Sequence, residues 1–170
     1  MNAQLHPQDQ SALHNVTTQT ASPNADDILQ RAQQYALTHT LDFSGSLSPI
    51  DAWQLIQQQH AILVDVRTNE DRKFVGYIPQ SLHIPWATGT AFNRNPRFLK
   101  ELESKVSKDQ IILLICRSGR RSSLAAVAAF NADFKHIYNV LEVFEGDLNN
   151  TAQRKQSNGW KVHQLPWQQD

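Results

Sequence analysis

Residues 111–130 have the sequence IILLICRSGRRSSLAAVAAF, in which an apolar run passes through a short basic segment into a stretch rich in alanine. The run at 111–116 is typical of a strand that is covered on both faces, as strands of a parallel sheet are. Strong helix formers follow, and they predict a helix at 121–132. Gly119 permits the tight turn that such a junction needs. The stretch therefore predicts one strand, loop and helix unit of an α/β domain.

Strand and helix patterns alternate over most of the remaining chain. AILVDVR at 61–67 predicts a central parallel strand, and further strands are predicted at 81–86 and 135–142. Capping residues followed by amphipathic segments predict helices at 49–59 and 95–106. Strands that alternate with helices imply crossover connections, so we expect a compact α/β fold with a mostly parallel central sheet flanked by helices.

The two ends of the chain differ from this central pattern. The first residues are polar and lack a period, which predicts a disordered tail, and an amphipathic helix is predicted at 24–41. We expect that helix to pack against the domain, with docking on a partner as the alternative. The SGS segment at 44–46 is interpreted as a break, and 158–167 as a turn, a short edge strand and an aromatic latch. The chain is thus divided into a tail, a helical extension and a domain, at residues 1–23, 24–43 and 44–170.

Charge and composition exclude several classes of function. Sixteen Lys and Arg residues balance sixteen Asp and Glu residues, so no overall field attracts nucleic acid or an anionic membrane. The apolar runs are far shorter than the ~20 residues that cross a bilayer, and the first forty residues contain no apolar leader. We therefore expect a cytoplasmic protein. The seven histidines show no metal-ligand spacing, so no metal site is predicted.

The single cysteine, Cys116, ends the most apolar predicted strand. Ligands of open parallel sheets bind beyond the carboxyl ends of the strands, which places this thiol at the ligand crevice. The amides of the following loop and of the first helical turn form a concavity suited to an anion. Arg117, Arg120 and Arg121 add positive potential, which favours the reactive thiolate and an anionic substrate. A thiol shut away from solvent, with its neighbouring amides directed elsewhere, would contradict this prediction.

The length of the loop separates two kinds of chemistry. Cysteine phosphatases place an arginine after a cysteine and five further residues, whereas Arg121 follows Cys116 after only four. One residue fewer shortens the perimeter of the loop by about 3.5 Å. The smaller cup suits a single added sulfur atom better than a tetrahedral phosphate.

The sequence resembles the rhodanese family of sulfurtransferases in three segments. CRSGRRS resembles the family's active loop, LVDVR at 63–67 resembles its first-strand motif, and GYIPQSLHIPW at 76–86 is similar to its Gly-His-Ile-Pro segment. The resemblance covers residues 47–148. It implies a compact α/β domain with a parallel sheet, a persulfide formed on Cys116, and neither a metal nor an organic cofactor. Departures are Tyr77, Gln80 and one extra residue between the second and third motifs, which affect the neighbouring wall of the pocket.

The resemblance also implies roles for individual residues. Cys116 is the expected nucleophile, and positions 117–121 are the expected amide cradle. Asp65 and Arg67 are expected near the same sheet edge, where they either orient the loop or form a surface pair. Independently of the resemblance, Trp86 is the tryptophan expected beside the pocket, because it follows a strand end on the presumed active side. The predicted substrate-binding set is Arg117, Ser118, Gly119, Arg120, Arg121, Ser122, Asp65 and Arg67.

Three functions are consistent with these residues. The leading hypothesis is transfer of a sulfane sulfur from a small anionic donor, such as thiosulfate, to a thiol or cyanide through a Cys116 persulfide. A phosphatase or arsenate reductase with a small cysteine loop is the second. A non-catalytic module that binds a partner through the basic pocket and the helix at 24–41 is the third. The physiological acceptor, a thiol or a protein, is not identified by the sequence.

Overall fold

The apolar strands of the chain form a five-stranded parallel sheet, seen in a computed structural model that describes residues 23–154 and 156–169. The predicted tail at 1–23 therefore lies almost wholly outside the described residues. The strands are β1 (Gly45–Leu47), β2 (Ala61–Asp65), β3 (Leu82–His83), β6 (Ile111–Ile115) and β7 (His136–Val140), and a small antiparallel hairpin contains β4 (Ala87–Thr88) and β5 (Asn93–Arg94). The helices are α1 (Ala25–His39), α2 (Pro49–Gln57), α3 (Asn69–Val75), α4 (Phe98–Lys105) and α5 (Arg120–Asn131). The order in the sheet is β1-β7-β6-β2-β3, and every pairing within it is parallel.

The central strand β6 is covered on both faces, as its continuous apolar run predicts. Ile112 and Leu114 pack with buried residues of α4 and α5, whereas Leu113 and Ile115 pack with buried residues of α1 and α2. The side chains alternate between the two layers because a strand has a period of two. Cys116, one residue beyond β6, continues the row that faces α5.

The interpretation of SGS at 44–46 as a break is wrong, because Gly45 and Ser46 belong to the edge strand β1. Gly45 pairs with Tyr138 of β7, and both residues 45 and 46 are buried. Helix α1 lies so close to this strand that a Cβ at Gly45 would overlap the carbonyl of Ala32. The predicted helix at 24–41 is confirmed: it is capped by Asn24 and packs on the domain through Ile28, Ala32 and Ala36.

The predicted edge strand within 158–167 is also wrong. This segment consists of turns, and the only ladder contact nearby among the described residues is an isolated bridge between Tyr77 and Gln168. Trp160 is fully buried, its indole N–H donates to the carbonyl of Pro166 at 2.9 Å, and Trp53 meets it edge-on. The segment is therefore held by the buried ring and by hydrogen bonds to residues 142–144, and not by strand pairing.

Helix α3 and the β4–β5 hairpin were not predicted by the sequence patterns. The hydroxyl of Thr68 caps α3 by accepting from the backbone N–H of Asp71 at 3.1 Å. Together these two elements place Asp71 and Phe92 beside the loop that follows β6. None of the helices among residues 23–154 and 156–169 has the length and apolarity to cross a membrane.

Candidate active site

The sulfur of Cys116 lies at the carboxyl end of the central strand and accepts two hydrogen bonds. The backbone N–H of Gly119 donates to Sγ at 3.0 Å, and the hydroxyl of Ser122 donates to it at 3.1 Å. The carbonyl of Cys116 accepts from the backbone N–H of Phe144 at 3.0 Å, which fixes the residue at the sheet edge. The sulfur thus faces two hydrogen-bond donors, one from the loop backbone and one from the first turn of α5.

The expectation of an open thiol is not met, because Cys116 has 0% of its surface exposed. The loop curls over the sulfur: Gly119, at a φ of +81°, turns its N–H inward, while Arg117 and Ser118 are exposed on the outside. The loop amides are not all directed elsewhere, since the N–H of Gly119 points at the sulfur. The two polar donors at the sulfur distinguish this thiol from a cysteine that packs only among apolar side chains.

The predicted cradle at 117–121 supplies one amide contact to the sulfur in this structure, that of Gly119. Ser122, predicted to bind substrate, is fully buried and contacts the sulfur instead. Its hydroxyl also lies 3.1 Å from the carbonyl of Gly119, so its single proton is shared between two acceptors. A thiolate at Cys116 competes best for that proton because it carries the full charge.

The three loop arginines have different surroundings. Arg117 pairs with Glu145 at 2.7 Å, and Arg121 pairs with Asp71 of α3 at 2.6 Å. Arg120 is exposed and has no carboxylate partner among the described residues. Two of the three are therefore held in place by an acid, and the third is available to an incoming anion.

A pocket of about 680 Å³ lies beside the loop and contains four of the predicted substrate-binding residues. These are Arg117, Ser118, Arg120 and Arg121, and Trp86 is in the wall as expected. Arg94 and Arg154, which sequence reasoning did not select, complete the basic lining. Neither is near the cysteine in sequence, because Arg94 comes from β5 and Arg154 from the C-terminal loops. Their juxtaposition depends on tertiary structure alone.

Asp65 and Arg67 do not line this pocket, so the prediction that they bind substrate is corrected. Both are fully buried, which also excludes a surface pair. Their bidentate ion pair joins Nε to Oδ1 at 2.9 Å and Nη2 to Oδ2 at 2.6 Å. Arg72 of α3 adds a second cation to the same carboxylate at 3.0 Å. The network thus anchors α3, the helix that carries Asp71, to strand β2.

Burial and charge act in opposite directions on the carboxyl group of this network. Burial raises the pKa of Asp65, but the charges of Arg67 and Arg72 and the hydrogen bonds from Arg67 outweigh it and hold the pKa below its ordinary value. Beside this network, His83 has Nε2 2.8 Å from the carbonyl of Arg67. Its burial lowers its pKa, against the hydrogen bond, so the neutral ring donates to that carbonyl.

The described residues contain no group of three or more His, Cys, Asp or Glu side chains that could hold a metal ion. The polar groups at the sulfur are a backbone N–H and a hydroxyl, and those of the pocket are mainly guanidinium groups. All of these donate hydrogen bonds, so the site is suited to an anion and not to a cation.

Comparisons with known proteins agree with the fold. The family model for the rhodanese-like domain matches residues 48–149. An uncharacterised protein of Rickettsia rickettsii is 40% identical over 120 residues, which is 67% of this chain and 88% of that one. The crystal structure of Rv0390 from M. tuberculosis is 35% identical, with a TM-score of 0.67 over 75% of this chain and 99% of that one. The polysulfide-sulfur transferase homodimer of Wolinella succinogenes shares the fold at 21% identity and a TM-score of 0.53, over 84% of this chain and 85% of that one.

Proposed function

The chain belongs to the rhodanese-like domain family, and we propose from this premise that it transfers a sulfane sulfur through a persulfide on Cys116. The donor is a small anion of the thiosulfate type, and the acceptor is a thiol, or cyanide in an assay. The observation that carries the proposal is the pair of hydrogen bonds that Gly119 and Ser122 donate to the cysteine sulfur. The fold shared with a polysulfide-sulfur transferase is consistent with it.

The first step loads one sulfur atom onto the cysteine. The Cys116 thiolate attacks the outer sulfur of thiosulfate, a new S–S bond forms, and the old S–S bond breaks. Sulfite leaves with the electron pair of the broken bond, so the persulfide anion retains one negative charge. The Gly119 N–H and the Ser122 hydroxyl face this region and stabilise the charge throughout, while Arg120 attracts the donor.

The second step unloads the same atom. Cyanide, or a thiolate acceptor, attacks the terminal sulfur of the persulfide, and the electron pair of the S–S bond returns to Cys116. Thiocyanate, or an acceptor persulfide, leaves, and the enzyme returns to its starting thiolate. The atoms and charges balance without any further oxidant or reductant.

Access to the sulfur requires the loop to move, because Cys116 is fully buried. The outer residues Arg117 and Ser118 are exposed, and Arg117 is held by Glu145. We place the movement in these two residues, since Gly119 and Ser122 are the ones that hold the sulfur. Measured thiol alkylation at Cys116 should accordingly be slow in the folded protein and faster in Glu145→Gln.

The proposal is tested by intact-mass measurement and a thiosulfate-to-cyanide assay on the wild type and Cys116→Ser. We expect the wild type to gain the mass of one sulfur atom from thiosulfate, to lose it to cyanide, and to turn over, and the variant to do none of these. Absence of the mass gain in correctly folded wild type would overturn the proposal. Aryl phosphate hydrolysis that is lost in Cys116→Ser would favour the phosphatase hypothesis, and full function of Cys116→Ala in cells would favour the binding module.

A further inference from the structure

The C-terminal segment at 160–169 lies beyond the residues that the family model matches, yet it contacts helix α3 beside the active site. The family match ends at residue 149. Three residues of the segment form hydrogen bonds to the last residues of α3 and to the turn after it; the pairs are Gln168 with Tyr77, Gln169 with Phe74, and Lys161 with Val75. The backbones of Tyr77 and Gln168 exchange two of these bonds, at 2.7 and 2.8 Å. The segment therefore holds the C-terminal end of α3.

The ring of Trp167 packs directly against Gly76, the residue that ends α3. A Cβ at Gly76 would lie 2.8 Å from a ring carbon of Trp167 and 2.6 Å from the carbonyl oxygen of Gln168. Glycine is needed here because the two segments approach each other so closely. The ammonium of Lys161 lies 3.5 Å from the centre of the same ring. Trp167 has 40% of its surface exposed, so it covers the end of α3 from the solvent side.

Helix α3 depends on such contacts because it contributes little to the core. Each of its seven residues retains some exposed surface, whereas most short helices are stabilised by a buried apolar face. Its middle is held to strand β2 by the ion pair of Arg72 with Asp65. The segment at 160–169 holds its other end. Loss of the C-terminal contacts should therefore let the helix shift while the core stays intact.

Asp71 links this helix to the active-site loop. Its carboxylate pairs with Arg121 of α5 at 2.6 Å, and the two side chains are only 10% and 14% exposed. The ring of Phe92 flanks the same guanidinium at 5.0 Å. Arg121 lines the pocket beside the loop and precedes Ser122, the residue whose hydroxyl donates to the Cys116 sulfur. The place of this guanidinium in the pocket thus depends on the position of α3.

We propose that Trp167 is a positioning residue for sulfur transfer: through α3 and Asp71 it keeps the Arg121 guanidinium where it receives the anionic donor. The inference rests on the proposed function and gives a role in it to a segment outside the family match. Trp167 lies outside the lining of the pocket, so its removal leaves every charged group of the site in place. Its effect is on geometry alone, and a displacement of about 1 Å can cost up to about a hundredfold in rate.

Steady-state kinetics of thiosulfate-to-cyanide transfer by full-length variants test the inference. We expect Trp167→Ala to raise the KM for thiosulfate by about threefold to tenfold and to change kcat by less than about twofold, because binding geometry is lost and the sulfur site is kept. Trp167→Phe, which retains a ring over Gly76, should restore most of the affinity. Phe130→Ala is the matched control, since it removes a ring of similar exposure, 42%, from the far end of α5. It should leave KM unchanged.

A double-mutant cycle with Arg121→Gln separates positioning from general destabilisation. If Trp167 acts through Arg121, Trp167→Ala should raise KM no further in the Arg121→Gln background, whereas an unrelated structural effect would add to that of Arg121→Gln. Hydrogen exchange gives a readout that needs no transfer chemistry. The amides of residues 72–77 and of the first turn of α5 should exchange faster in Trp167→Ala than in Phe130→Ala.

An unchanged KM in Trp167→Ala, or additive effects in the cycle, would overturn the inference while the proposed function stands. If the wild type transfers no sulfur, the proposed function fails and the exchange measurement alone decides whether Trp167 positions Arg121. Faster exchange at both α3 and the first turn of α5 supports that coupling. Faster exchange at α3 alone overturns it.

Discussion

The backbone N–H of Gly119 lies 3.0 Å from the sulfur of Cys116, and this contact exists because Gly119 has a left-handed φ of +81°. The same residue precedes the first turn of α5, so one glycine both ends the loop and begins the helix. The geometry of the sulfur site is therefore set by a backbone conformation that residues with a side chain rarely adopt.

Gly119→Ala should lower sulfur transfer more than it lowers stability. A Cβ has room, since its nearest neighbour would be Val143 at 3.8 Å, but the left-handed backbone costs roughly 1–2 kcal/mol. Relief of that strain turns the N–H away from the sulfur, and we expect transfer to fall by about tenfold or more, as for one lost donor to an anion. The thiosulfate-to-cyanide assay and urea denaturation measure the two effects. Gly89→Ala is the control, because Gly89 has a φ of +67° and open space around it; an equal loss of transfer there would contradict the assignment.

Ser122→Ala should reduce the rate of sulfur loading while leaving the fold intact. The hydroxyl is the second donor to the Cys116 sulfur, and a hydrogen bond to a charged group contributes about 1.5–3 kcal/mol. We expect the rate of persulfide formation to fall by about tenfold to a hundredfold. Reactions stopped at successive times and measured by intact mass give this rate. Ser123→Ala, one residue further along α5, should retain the wild-type rate. Unchanged loading in Ser122→Ala would show that the hydroxyl serves only the Gly119 carbonyl.

Asp65→Asn should destabilise the protein strongly and in a way that depends on pH. It leaves the buried guanidinium of Arg67 without its charge partner, which typically costs about 3–5 kcal/mol. The pKa of Asp65 in the folded protein is held below its ordinary value. The carboxylate therefore contributes fully to the free energy of unfolding above about pH 4, the range in which a free aspartate titrates. This contribution is lost as the pH falls through the pKa of Asp65 in the folded protein. The difference in unfolding free energy between wild type and variant should thus be constant near neutral pH and narrow in acid.

Urea denaturation between neutral and acid pH measures this difference. Asp109→Asn is the matched control, since Asp109 forms an ion pair with Lys135 in solvent. The free energy of unfolding should fall far less in Asp109→Asn than in Asp65→Asn. A difference between wild type and Asp65→Asn that grows as the pH falls would contradict the prediction.

Trp160→Ala should show that the C-terminal segment is part of the core. The ring is fully buried and its indole N–H donates to Pro166, so its removal should cost about 3–5 kcal/mol in unfolding free energy. Trp167→Ala is the control, because Trp167 is partly exposed and lies over Lys161. It should lower the free energy of unfolding by less than half as much. Guanidinium denaturation followed by circular dichroism distinguishes the two, and equal losses would argue against a special role for Trp160.

The sequence predicted the elements that carry strong apolar periodicity. Strand β6 and helix α5 were predicted within a residue or two because a buried strand and a helix of small residues leave clear patterns. Strand β1 was missed because it has three residues and pairs only with β7, so its local sequence resembles a turn. Helix α3 was missed because none of its residues is buried, which removes the apolar stripe that identifies a helix.

The candidate site likewise contains residues that the sequence predicts and residues that it does not. Cys116 and the arginines that follow it are contiguous and were selected from the sequence. Arg94 and Arg154 were not, since they reach the pocket from separate segments and only the folded chain brings them together. The burial of Cys116 was likewise beyond the sequence, because it depends on how tightly the loop curls.

The pairing of β1 with β7 determines how the molecule is best prepared for experiments. The family match begins at residue 48, after α1 and β1, and ends at 149, before Trp160. A recombinant fragment cut at those limits would leave the outer backbone groups of β7 unpaired, an edge open to a strand from another molecule. Such a fragment should aggregate, so purification and crystallisation call for chains that keep the first helix and the last tryptophans.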